Sequence, residues 1–296
     1  LGFVGLYNVK GQKAVSEQTS QSIGDLLLTF PREPGDEIQP VSEKGKAFLN
    51  QHATDLANLY AVILKNDPPQ WKTNIHDGMK IVLPSFMALR VMAQMIVVDA
   101  LEKERLGKHK EALDALEAEF KITTALMTQP TLVANMIAVA IDGLLSTNIA
   151  KMENVPHEWQ HRVMEHDYKK GLLLAFQHEA WAYSKIQIGD LLETRHFLGG
   201  SIPKIRFSDL PFYIRPYRRL CMANCSEVIR KMVVNCKKQS ETGEDFPRQD
   251  PEIAWYNFLG RTLIPSLPRV MGRARVCMLL REQVQIILRI KELRRS

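Results

Sequence analysis

Leu106-Gly107-Lys108-His109-Lys110-Glu111-Ala112-Leu113 is the stretch whose reading decides the fold. Before it, apolar side chains recur at helical spacing from Pro84 to Leu106, and proline suits a first helical turn. After it, the same period runs from Lys108 to Met127, in residues that favour helix such as Ala, Leu, Glu and Lys. Gly107 interrupts the period between the two runs. A short break between two amphipathic runs predicts a pair of antiparallel helices.

The same grammar extends outward. A helix is expected over residues 11–30, ended by the Pro31-Arg32-Glu33-Pro34-Gly35-Asp36 cluster. A second is expected over residues 42–65, with Leu49, Ala53, Leu56, Tyr60 and Ile63 as its buried stripe and Asp67-Pro68-Pro69 as its stop. Residues 70–83 read as loop. Past the central pair, Thr128-Gln129-Pro130 leads into a strongly apolar helix over residues 131–152. Asn154-Val155-Pro156 then introduces one long helical stretch from His157 to Phe197. An irregular connection begins at Gly199-Gly200-Ser201-Ile202-Pro203. Later helices are expected over residues 217–238, 251–261 and 268–293. No strand or hairpin pattern competes. The fold class is therefore all-α: antiparallel helical hairpins forming a bundle or a short irregular α-solenoid. The pair around Gly107 resembles a tetratricopeptide hairpin, with Gly at the turn and Ala112 where two helices approach. No 34-residue repeat flanks it, and one hairpin does not make a solenoid.

Three regions follow. Residues 1–10 are expected to end a membrane anchor, residues 11–198 to form an N-terminal helical domain, and residues 199–296 a basic helical region packed on it. Leu1-Gly2-Phe3-Val4-Gly5-Leu6-Tyr7 is apolar and gives way to Asn8-Val9-Lys10. Seven residues cannot cross a bilayer, which takes roughly 20, but they can be the last turns of a helix that does.

Hydrophobic residues at 45% and charged residues at 24% are the balance of a folded protein, which argues against disorder. The net charge of +6 is uneven. Residues 195–296 carry 20 Lys and Arg against 9 Asp and Glu, so the rest of the chain is slightly acidic. The basic clusters Arg215-Pro216-Tyr217-Arg218-Arg219 and Arg289-Ile290-Lys291-Glu292-Leu293-Arg294-Arg295 suit helix ends, lipid phosphates or an acidic partner. Nucleic acid is not the expected partner. Of the four cysteines, Cys221 and Cys225 share a helical face. That spacing serves two metal ligands or two small buried apolar groups, and the second is expected. Met87, Met92 and Met95 are expected in the core.

His157-Glu158-Trp159-Gln160-His161 matches H-E-x-x-H. On a helix, His157 and His161 point the same way and can hold zinc, while Glu158 can serve as general base on a metal-bound water. Glu165, His166, His178 and Glu179 follow as candidate third ligands, and Glu179, 18 residues after His161, has the spacing of one group of zinc peptidases that the motif resembles. Pro156 places the motif at a helix start, and Glu158 there complements the helix dipole without any metal. No cofactor is expected on balance. The nucleophile elbow, the phosphate-binding loop and the dinucleotide fingerprint are absent from the sequence.

Three stretches together resemble a broad set of helical bacterial proteins, abundant in planctomycetes, that share an architecture and carry one N-terminal transmembrane helix. The first is Ala88 to Met152, with Pro130-Thr131-Leu132-Val133 leading into the apolar helix. The second is the helix reaching His178-Glu179. The third runs from Asn257-Phe258-Leu259 through Leu263-Ile264-Pro265 to Leu288. The likeness spans roughly two-thirds of the chain and assigns no catalytic residues. It implies an N-terminal anchor in a bacterial membrane, with the helical part outside the bilayer on the periplasmic side. The expected function is a non-catalytic, membrane-tethered scaffold or accessory subunit that binds other protein subunits. A zinc hydrolase at His157 and His161 is one alternative. A protein that holds an apolar ligand between its helices is another.

Overall fold

A computed structural model describes residues 38–70, 86–185, 214–242, 253–254 and 266–295. Among them lie nine helices and no strand. They are α1 (Glu43–Gln51), α2 (Ala53–Lys65), α3 (Phe86–Arg105), α4 (His109–Met127), α5 (Leu132–Lys151), α6 (Glu158–Arg162), α7 (Tyr168–Lys185), α8 (Ile214–Thr242) and α9 (Ser266–Leu293). The expected helix over residues 11–30, the loop over 70–83 beyond Gln70, and the proposed anchor over 1–10 lie outside the described residues.

The central turn has a local cause. Gly107 adopts φ 75°, a left-handed conformation that costs little only for glycine. Its N–H donates to the Glu104 carbonyl, and the Lys108 N–H donates to the Lys103 carbonyl. These two bonds close the end of α3 as a Schellman motif and release the chain backward into α4. Ala112, Ala115 and Ala118 on α4 are fully buried, which lets the neighbouring backbones come close.

α5 is the axis of the fold. It is apolar on all sides because helices surround it, as expected for a core helix without an outer face. Thr131 caps it, its hydroxyl accepting from the Ala134 N–H. Asn135 locks the preceding turn by donating to the Gln129 and Thr131 carbonyls. By length and composition alone, α5 is long and apolar enough to cross a bilayer. Two-thirds of it is buried inside the protein, which is how the core helix of a folded domain behaves.

Two apolar clusters flank α5. One joins α1 to α5 with Trp159, Val163, Val284 and Leu288. The other joins Leu132 and Val139 of α5 to α7, α8 and the first half of α9. α9 thus contributes to both. Polar ties connect the layers at the periphery. Tyr60 donates to Asp99, which also pairs with Lys103, joining α2 to α3. Lys121 reaches from α4 to the carbonyls of Ile63, Leu64 and Asn66 and closes the end of α2. Lys291 does the same for α5, donating to Ala150 and Met152.

Several expectations need correction. The helix over residues 42–65 is two helices, broken at His52 between α1 and α2. Ala53 is exposed, and Leu59 takes its place in the buried stripe. The continuous helix from His157 is broken too: α6 ends at Arg162, and a turn through Glu165 precedes α7. α8 begins at Ile214 rather than Tyr217, with Pro216 in its first turn, where a missing N–H is harmless. Ile253 and Ala254 are not helical, within the helix expected over 251–261. Met92 and Met95 pack against the core as expected.

Candidate functional site

Two features stand out: a polar network buried beneath α5, and an apolar stripe on the outer face of α9.

The network starts from Asp142, a carboxylate 1% exposed in the middle of α5. His166, in the turn before α7, donates from Nδ1 to Asp142 Oδ1 at 2.9 Å. The Tyr168 hydroxyl donates to Asp142 Oδ2. Arg281, buried on α9, places Nε 3.8 Å from the same oxygen. Its Nε also donates to the Val163 carbonyl and its Nη1 to the His166 carbonyl at 2.7 Å. The guanidinium lies over the Tyr168 ring, 4.9 Å from the centroid. A short helix followed by a turn exposes carbonyls that lack helical partners, and Arg281 satisfies two of them.

Around this centre, His166 Nε2 lies 2.9 Å from Thr124 Oγ1, and its ring stacks on Phe120. Arg162 holds Glu117 through both carboxylate oxygens and covers the rings of Phe120 and Trp159. Glu119 is fully buried, and neither carboxylate oxygen has a partner. Burial, then the charge of Asp142, hold its carboxyl well above the usual carboxylate range.

Cys277 Sγ sits 3.1 Å from the Tyr168 hydroxyl and 3.5 Å from the Val139 carbonyl. A cysteine near an Asp-bound histidine invites comparison with a nucleophile and its base. The geometry differs. The thiol meets Tyr168, not His166, and burial followed by the Asp142 charge pushes it up to about 12. Nucleophilic cysteines are shifted the other way and are partly exposed. The network is a buried lock joining α5, the α6–α7 turn and α9.

The H-E-x-x-H residues lie elsewhere. Trp159 is the inward residue of α6, buried against Phe120, while His157, Glu158 and His161 are exposed. His157 Nδ1 is 3.0 Å from Glu292 on α9. The rings of His157 and His161 meet edge to face at 5.7 Å. Glu179 is not with them. Its carboxylate bonds the Leu132 N–H at the start of α5, and burial pushes it upward. Glu292 lies beside Lys291, which binds the other end of α5. α5 has 20 residues, so about 30 Å of helix separates the two sites. One metal ion cannot join Glu179 to His157 and His161. Among the described residues, no group of three or more His, Cys, Asp or Glu is placed to hold a metal.

His157 and Gln160 line a small open depression of about 110 Å³ with Leu288, Lys291, Glu292 and Arg295. Lys291 lies there with its ammonium committed to α5, and burial pulls its pKa down. Arg289, Arg294 and Arg295 are exposed nearby. Arg215, Arg218 and Arg219 fall within α8, where their side chains are not described. The two basic clusters thus lie on different helices. Cys221 and Cys225 are both buried in α8, as small apolar residues would be.

The second feature is on α9. Val276, Leu279, Ile286, Ile290 and Leu293 are 44% to 68% exposed. With Gln283 they follow alternating steps of three and four residues, the a and d positions of a heptad. The opposite face of α9 carries Val270, Ala274, Cys277, Val284 and Leu288 into the core. α9 is therefore apolar on two faces, and only one is covered.

No family model matches the chain, and no curated protein or solved structure matches it.

The buried lock was missed in the sequence, although a signal existed. Asp142 is the single acidic residue over residues 131–152, in the middle of the apolar run from Met136 to Leu145. A charge there has to be paired.

Proposed function

We propose that this chain is a non-catalytic helical scaffold, an accessory subunit that binds other protein chains. One observation carries the reading: the outer face of α9 holds a row of five exposed apolar residues over about five turns, interrupted only by Gln283. Scattered exposed apolar residues are ordinary, whereas a contiguous row is characteristic of a binding surface. The lock supports the same role. It seats the inner face of α9 on α5, so the outer face is presented by a rigid element. The α3–α4 hairpin is the tetratricopeptide-like unit of the scaffold. The apolar start of the chain and the planctomycete likeness support an N-terminal tether to a bacterial membrane, with the helices on the periplasmic side.

A hydrolase at His157 and His161 draws no support from geometry that separates Glu179 from both. An apolar ligand between the helices draws none from the small, charged depression beside His157.

Membrane fractionation of native cells tests the tether: the protein stays with the membrane after a high-salt wash and is released by detergent. Recovery of the native full-length protein in the soluble fraction refutes it. For the scaffold, Leu279→Asp on the stripe abolishes co-purification of its partner chain, while Leu174→Asp, exposed on α7, leaves it intact. Equal co-purification with both variants refutes the role of the stripe.

A further inference from the structure

We propose that the occupant of the α9 stripe is a second copy of this chain, with the two α9 helices antiparallel about a two-fold axis between Gln283 and Ile286. The proposal rests on reading the stripe as a protein-binding surface and adds the partner and its orientation.

The stripe is self-complementary in that orientation. In an antiparallel pair, a positions pack against d positions of the other helix. Placing the axis between Gln283 and Ile286 sets Gln283 against Ile286 of the second copy. The same register sets Leu279 against Ile290 and Val276 against Leu293. The two outer layers on each side pair apolar residues, the two central layers set the Gln283 amide against Ile286, and the row ends together at Val276 and Leu293. An isologous contact of this kind closes as a dimer and does not propagate.

The flanking charges choose between orientations. Glu282 and Arg289 are exposed and occupy the two g positions nearest the centre of the stripe, with Arg275 at the g position where it begins. In the antiparallel register each Glu282 faces Arg289 of the second copy, and symmetry makes this pair twice. On the other flank Leu280 faces Ile287; both are half-buried and already lean on the core. A parallel pair gives the reverse. Arg289 would face Arg294 of the second copy and Glu282 the apolar Ile287, while the two Gln283 amides would meet as a hydrogen-bonding pair. Charge complementarity of this kind fixes register and orientation. The antiparallel arrangement therefore pairs the two central flanking charges twice, although it also sets Arg294 near Arg273 of the second copy at each end, whereas a parallel arrangement pairs neither central charge with its opposite.

Sedimentation equilibrium of the full chain across a dilution series reads the result. The parent is expected to be a reversible dimer. Ile286→Asp, beside the axis, weakens it by roughly 30-fold or more, the loss expected for a central anchor. Its helical circular dichroism stays unchanged, because Ile286 points away from the core. Glu282→Arg alone and Arg289→Glu alone each weaken the dimer about tenfold, and the double variant restores it. A monomeric parent overturns the proposal, and so does a charge swap without rescue.

A photo-crosslinking residue at Leu279, introduced in the native cells, separates this failure from that of the scaffold reading. A self-adduct mapped beside Ile290 of the second copy supports the antiparallel dimer. A self-adduct beside Leu279 itself overturns it by showing a parallel pair. An adduct to a different protein overturns the second-copy proposal and leaves the scaffold reading standing. Absence of any adduct overturns both.

Discussion

Replacing Arg281 with Met tests the buried lock most directly. Met keeps much of the side-chain volume and removes the guanidinium, so the change isolates the polar contribution. Three groups lose a partner: the Asp142 carboxylate and the Val163 and His166 carbonyls. Breaking one side of a buried ion pair costs about 3–5 kcal/mol, and a buried unpaired acceptor about 1–3 kcal/mol. These do not simply add. Asp142 keeps its bonds from His166 and Tyr168, which limits the loss. The expected loss is about 4 kcal/mol. Urea unfolding followed by circular dichroism reads it as a lowered midpoint. Adding Asp142→Asn to Arg281→Met recovers about 1–2 kcal/mol, because the unpaired charge disappears while the carbonyls stay bare. Lys110→Met, exposed on α4, costs less than about 0.5 kcal/mol. A loss below about 1 kcal/mol for Arg281→Met would refute the lock. So would a double variant no more stable than the single one.

Other outcomes follow from the same geometry. Gly171→Ala costs about 1–3 kcal/mol in thermal or urea unfolding, since its Cβ would lie 2.5 Å from Asn135 Oδ1; an Asn135→Ala background reduces that cost. Gly107→Ala meets no atom within 4 Å and costs only the left-handed backbone, about 1–2 kcal/mol. Glu119→Gln changes the pH dependence. Its folded carboxyl is raised, so the parent's stability is full below the unfolded value near 4.5 and falls as pH rises toward the folded value. Unfolding measured across that window shows the variant gaining on the parent by up to about 1.4 kcal/mol per pH unit. Equal slopes for variant and parent would contradict an upward shift at Glu119. Lys121→Met frees three carbonyls at the end of α2 and costs about 1–2 kcal/mol, read by urea unfolding; a change confined to α3 in amide exchange would contradict the assignment.

The motif with the strongest chemical associations was a poor guide. H-E-x-x-H predicts a ligand pair only if a third ligand comes near and the helix is part of a longer one. α6 is five residues long, and Trp159 is its anchor in the core. The histidines face outward because Trp159 must face inward. The basic cluster at the C-terminal end likewise divides by burial: Lys291 closes α5, while Arg289, Arg294 and Arg295 stay exposed.

The sequence by itself determined that the chain is helical, where the central hairpin turns and which segment forms its most apolar helix. Those are local properties. Helical period, a glycine able to take a positive φ, and a threonine able to cap are set by neighbours a few residues away. Only the tertiary structure decided which of the two apolar faces of α9 the core covers, and that Asp142, His166, Tyr168 and Arg281 meet. The two rows on α9 share one spacing, so periodicity cannot rank them. The lock joins residues up to 139 positions apart in sequence, between Asp142 and Arg281, and no local pattern encodes that meeting. Burial makes the choice: a carboxylate in the apolar core is stable only where a cation reaches it, and Arg281 reaches it when that face of α9 turns inward.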